Sequence, residues 1–118
     1  MPKRWRLVLR IQAFYYVMTG VWPLLSRRSF EAVTGRKRDW WLVQMVALLA
    51  ISNGISLGAA TMRENVSGEA RMLSACTAFS FAVIDVVYVV RSEIRPVYLA
   101  DAAVEGLILL VLGRSIRR

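Results

Sequence analysis

Four apolar segments, 7–25, 40–60, 72–90 and 97–113, fill most of the chain, and each is close to the length of a membrane-crossing helix. At about 1.5 Å of rise per residue, about 20 residues cross the hydrocarbon of a bilayer, with a working range of about 17 to 25. The fourth segment stands at the short limit. Strands are usually about 5 or 6 residues long, so these lengths predict helices. Apolar residues make up 57% of the sequence, against roughly 45 to 50% in soluble domains. A single domain of 118 residues has little interior in which to bury that surplus, and lipid accommodates it most simply. The expected fold is therefore all-α, an integral membrane four-helix bundle of up-down-up-down topology. One transmembrane domain covers residues 1–118.

The charge pattern agrees. There are 16 Lys and Arg against 8 Asp and Glu, a formal +8, which in a soluble protein points to nucleic acid. Here the basic residues bracket the apolar runs, in PKRWR at 2–6, RKR at 36–38 and RSIRR at 114–118, as they do around membrane spans. Nucleic acid is excluded as a partner on that ground, and the bilayer takes its place. Trp5, Trp22, Trp40, Trp41, Tyr88 and Tyr98 lie near segment ends, where amphipathic rings favour the headgroup layer. Basic residues facing the side of the termini number nine, against seven on the other side, which slightly favours cytoplasmic termini in a cell membrane. The basic start followed by an apolar run resembles a leader, but Arg10, Gln12 and Pro23 interrupt it and no small-residue cleavage site follows, so it is read as a retained first span.

Short linkers make sequential helices antiparallel. The RSEIRP connection at 91–96 is a tight hairpin. The longest linker, SRRSFEAVTGRKRD at 26–39, is expected to be a solvated loop, the alternative being a short amphipathic turn carrying Phe30 and Val33 and ended by Gly35.

Within these apolar runs a few polar side chains stand out. Asp101 and Glu105 are four residues apart and share one face of the fourth helix. Asp85 is the one charge on a stripe of the third helix that also carries Ser74, Ala78, Phe81 and Tyr88. Counted from the 91–96 hairpin, Asp85 and Asp101 fall at similar depth, with Glu105 one turn deeper. An ionised carboxylate at the bilayer centre costs about 2.5 to 3.5 kcal/mol on insertion scales, so three facing lipid are untenable. They must face the interior and find partners. Those available are Gln12, Tyr16 and Thr19 on the first helix and Asn53 on the second. Arg10 lies on the far side of its helix from Gln12 and is expected to reach the interface beside Arg6. Ala50, Gly54 and Gly58 place a small residue at every fourth position of the second helix, a pattern for close helix approach within the chain or in a homodimer. Tyr15, Tyr16, Trp40 and Trp41 offer aromatic faces to an organic cation, although interfacial anchoring accounts for most of them.

The single cysteine, Cys76, forms no intrachain disulfide and no metal cluster, and the absence of histidine removes the usual general base and the commonest metal ligand. No cofactor or metal is expected, and proton chemistry falls to carboxylates. The arrangement of YYVMTGVWPL, SFEAVTG, DWWLV, IDVVYV and YLADAAVEG resembles small bacterial four-helix proteins of the DoxX-like kind over the whole chain. That resemblance implies a four-helix bundle in a bacterial inner membrane and carries no functional residues with it. Small multidrug transporters, by contrast, hold an essential Glu in the first helix, where this chain has none.

Three functions compete. In the first, Asp85, Asp101 and Glu105, with Gln12, Tyr16 and Asn53, bind or transport a proton, a cation or a small ligand. In the second, the chain is a structural or accessory subunit of a membrane complex, its acids acting as internal hydrogen-bond partners. In the third, the carboxylates are the acid and base of a membrane enzyme acting on a lipid-like substrate. No nucleophile or cofactor motif supports an enzyme.

Overall fold

The computed structural model describes the backbone of residues 2–117 and the side chains of residues 6–113. Trp5 as an interfacial anchor and the basic side chains of both termini lie outside the described side chains. Five helices follow in order: α1 (Pro2–Leu25), α2 (Arg27–Thr34), α3 (Trp40–Ala60), α4 (Gly68–Val90) and α5 (Tyr98–Arg117), with no strand among the described residues. The chain is all-α, and α3 coincides with the second apolar segment. By length and composition, α3 and α4 are apolar enough to cross a membrane. In α1, Arg10, Gln12 and two tyrosines dilute the apolar run. In α5, Asp101, Glu105, Arg114 and Arg117 do the same.

The helix ends have local causes. α4 begins four residues before the apolar segment because the Ser67 hydroxyl accepts from the Ala70 N–H at 3.1 Å, satisfying one of the unpaired donors of the first turn. It ends in a Schellman motif. The Glu93 N–H donates to the Tyr88 carbonyl at 2.9 Å and the Ser92 N–H to that of Val89 at 3.0 Å, with Ser92 left-handed at φ 60°. Pro96 follows and α5 starts two residues later.

Residues 26–39 are not a solvated loop, which corrects the expectation for this linker. Ser26 caps α2 by accepting from the Ser29 N–H at 3.2 Å. The Phe30 ring meets Trp22 edge-on at 5.2 Å and Trp40 at 6.1 Å. Those two rings, at the end of α1 and the start of α3, give the amphipathic turn an apolar seat that a purely solvated loop lacks. Gly35, at φ 98°, ends the helix. The Glu31 carboxylate receives the Lys37 N–H at 2.8 Å and lies 3.4 Å from Arg27. The Lys37 hydrogen bond foremost, and then the Arg27 charge, hold its carboxyl below the usual carboxylate range.

The long helices alternate in direction. Arg6, near the start of α1, donates to the carbonyls of Arg63 at 2.7 Å and Glu64 at 2.8 Å, and also to that of Thr61. A guanidinium there meets the carbonyls at the end of α3. Arg10 donates to the Thr61 hydroxyl at 3.3 Å, which places it beside Arg6 and away from Glu105. α1 packs along α3 and α4 along α5, and the two pairs meet through lighter contacts of α1 with α5 and α4 and of α3 with α4. The extents are 42 × 28 × 18 Å.

Glycine sets the α1–α3 distance. A Cβ on Gly54 would stand 2.7 Å from the Ala13 carbonyl oxygen and 2.6 Å from Val17 Cγ2, and one on Gly20 would stand 2.6 Å from the Ala47 carbonyl oxygen. Ala50 and Gly54 are buried and Gly58 faces Ala13, so the small-residue stripe serves packing within the chain. Gly106 has nothing within 4 Å of its would-be Cβ. Gly54→Ala is therefore expected to cost about 1 to 3 kcal/mol by overpacking, whereas Gly106→Ala should gain about 0.5 to 1 kcal/mol by helix propensity. Thermal unfolding of the two variants in detergent checks the opposite signs.

Candidate functional site

Three helices deliver the polar side chains to one place because their spacings match. Tyr15 and Tyr16 are adjacent on α1 and diverge by about 100° around its axis, so they reach different partners on the facing helix. On α5, Asp101 and Glu105 stack one turn apart. The Tyr15 hydroxyl donates to Asp101 Oδ1 at 2.5 Å and the Tyr16 hydroxyl to Glu105 Oε1 at 2.8 Å. One turn before Tyr16, Gln12 Nε2 donates to the Tyr16 hydroxyl at 2.9 Å and to the Ser74 carbonyl of α4 at 3.1 Å. The Ser74 hydroxyl returns a hydrogen bond to Gln12 Oε1. A continuous path therefore runs Ser74, Gln12, Tyr16, Glu105.

The third carboxyl enters from α4. Asp85 is buried on α4, on the stripe that also carries Ser74 and Ala78. Glu105 and Gln12 are fully buried and Asp85 is 5% exposed, while Asp101 and Tyr15 at the hairpin end are half-buried. One oxygen each of Asp85 and Glu105, Oδ2 and Oε2, is buried without a hydrogen-bond partner among the described residues. Buried polar atoms are usually paired, which makes these two informative.

Among the described residues no ion pair reaches the group. The ion pairs among the described residues join Arg27 to Glu31 and Arg91 to Glu93, all outside the cluster. Nor do the described residues group three His, Cys, Asp or Glu side chains so as to hold a metal ion.

Of the residues singled out in the sequence, Gln12, Tyr16, Asp85, Asp101 and Glu105 come together. Asn53 does not. It is half-buried on α3 and makes no side-chain hydrogen bond among the described residues, because α3 turns its small-residue stripe to α1. The Thr19 hydroxyl is spent within its own helix, on the Tyr15 carbonyl at 2.8 Å. Tyr15 and Ser74 were missed as site residues. Tyr15 reads as an interfacial ring in the sequence, and its signal was its adjacency to Tyr16 opposite a pair of acids spaced by one turn. Phe81 closes the group, its ring edge-on to Tyr16 at 5.5 Å.

No family model, curated protein or solved structure matches this chain.

Because Tyr16 is both the donor to Glu105 and the acceptor from Gln12, Tyr16→Phe should cost about 1 to 3 kcal/mol, the penalty for stranding buried polar groups. Asn53→Ala should stay within about 0.5 kcal/mol. Chemical or thermal unfolding of both variants measures the contrast.

Proposed function

We propose that this is a four-span bacterial inner-membrane protein whose Asp85, Asp101 and Glu105 cluster binds and exchanges a proton, the core chemistry of a small proton-coupled carrier. The membrane placement is supported by an inverted polarity. Gln12, Ser74, Asp85 and Glu105 are inside, while Phe14 (69% exposed), Leu49 (57%), Phe79 (61%) and Leu107 (61%) stand on the outer faces of α1, α3, α4 and α5. Apolar surface of that extent on every long helix needs an apolar solvent. Set on a hydrocarbon core of about 30 Å, α3 spans it in 21 residues. In this reading α1 and α5 complete four spans, their polar residues turned inward, with the termini on the cytoplasmic side.

The observation that carries the proton assignment is the burial of Asp85 and Glu105, each with one carboxyl oxygen that meets no hydrogen-bond partner, and neither in an ion pair among the described residues. Glu105, Gln12 and Ser74 have no exposed surface, so the ligand that needs no added volume is a proton. Asp101, half-buried, is the member through which a proton enters and leaves, and Tyr15 orients it. The structural alternative is favoured by the hydrogen-bonded completeness of the Ser74, Gln12 and Tyr16 side.

Infrared difference spectroscopy on the protein in detergent tests the assignment. At neutral pH a protonated-carboxyl C=O band should be present, should shift in D₂O, and should be lost or altered in Glu105→Gln. Glutamine mimics the neutral acid in shape, so Glu105→Gln should also change stability by less than about 1 kcal/mol. Absence of the band, together with a loss of several kcal/mol in the variant, would mean that ionised acids are structural partners and would sink the proton reading.

A further inference from the structure

The connection between α2 and α3 and the hairpin between α4 and α5 meet at one end of the molecule and enclose an open cavity of about 440 Å³. Its lining includes the side chains of Arg36, Lys37 and Arg95, with Ser92 as a hydroxyl donor and Glu93 as the one acid. The excess of cations is built in rather than incidental. Arg95 Nη1 donates to the Ala32 carbonyl at 3.0 Å, which spends one of its five N–H donors and ties the hairpin to α2. Gly35 makes room for it, since a Cβ there would stand 3.2 Å from Arg95 Nε. Lys37 Nζ donates to the Thr34 carbonyl at 3.0 Å and sits 4.8 Å over the Tyr98 ring, so the ammonium is held at the rim by two weak, neutral partners. Neither Arg36 nor Arg95 is ion-paired among the described residues. The Glu93 carboxylate is 3.9 Å from Arg91, outside the lining, which draws its charge aside.

The surroundings define the level of the cavity. Trp22, Phe30 and Trp40 cluster at this end, with Arg27 stacked on Trp40 at 4.5 Å, and Tyr88 and Tyr98 stand at the adjoining ends of α4 and α5. Aromatic rings interleaved with arginines mark the headgroup layer of a bilayer. α2 lies there as an amphipathic helix with Val33 45% exposed.

We infer that this cavity binds the phosphate of an anionic phospholipid headgroup. Arginine offers paired N–H donors that match phosphate oxygens, and lysine a point charge beside them. A volume of about 440 Å³ lies in the range of small-molecule sites, roughly 300 to 1,000 Å³, and has room for a glycerol as well as the phosphate. The inference rests on the membrane placement proposed above and is independent of the proton cluster. It makes the cavity a lipid-anchored clamp that fastens α2 to the α4–α5 hairpin.

The test follows the thermal midpoint of the full-length protein in a neutral detergent during titration with short-chain phosphatidylglycerol, short-chain phosphatidylcholine or inorganic phosphate. Phosphatidylglycerol should raise the midpoint at concentrations where the other two leave it unchanged. Arg36→Gln and Lys37→Gln together should weaken that effect about tenfold in concentration, whereas Arg28→Gln, outside the cavity, should leave it intact. Both replacements are at solvent-accessible positions, and the unliganded midpoint of each variant reports that it has folded. An equal rise with inorganic phosphate would assign the site to free phosphate and overturn the lipid. An equal rise with phosphatidylcholine, or the same loss in Arg28→Gln, would show that no anion-specific cavity is involved.

Discussion

A carboxyl group withdrawn from water has to be met by donors, and for Glu105 the donors come from α1. Tyr16 supplies the hydroxyl at 2.8 Å and Gln12 supports that hydroxyl from the turn before, while holding Ser74 of α4. This short path joins three helices through groups that are at most 1% exposed. Hydrogen bonds among buried groups are directional and costly to break, so they set the rotation of α1, α4 and α5 relative to one another. Apolar packing alone tolerates sliding, because one Leu or Val fills much the same space as the next.

Once α1 has spent one face on the acids, its other face is left for α3, and there the requirement is steric. Gly20 of α1 admits Ala47 of α3, and Gly54 of α3 admits Ala13 and Val17 of α1, at distances that leave no room for a methyl group. Close backbone approach on one side and interhelical hydrogen bonds on the other hold α1 to its neighbours. The two devices are divided between the two sides of α1: glycine toward α3, hydrogen bonds toward α5 and α4. That division explains why α3 carries no member of the cluster.

The end of the molecule at α2 obeys a different chemistry. No ion pair reaches the acids among the described residues, whereas around the α2–α3 and α4–α5 connections there are seven Lys and Arg against three Asp and Glu. Asp85 is one helical turn from Val89, which lines the basic cavity, so the two regions are neighbours along α4.

Part of this was legible in the linear chain. The helical segments follow from length and hydropathy, and the shared face of Asp101 and Glu105 with Asp85 at similar depth follows from helical periodicity plus the short 91–96 hairpin, because both depend on relations within one helix or across one tight turn. Three features were not legible: that Tyr15 faces Asp101, that Asn53 stays apart, and that residues 27–34 form a helix seated between Trp22 and Trp40. Each depends on how one helix is rotated against another. Periodicity defines a face without saying which neighbour it meets. That choice belongs to the tertiary structure, where the glycine contacts of α1 with α3 and the buried hydrogen bonds of α1 with α5 have to be satisfied together.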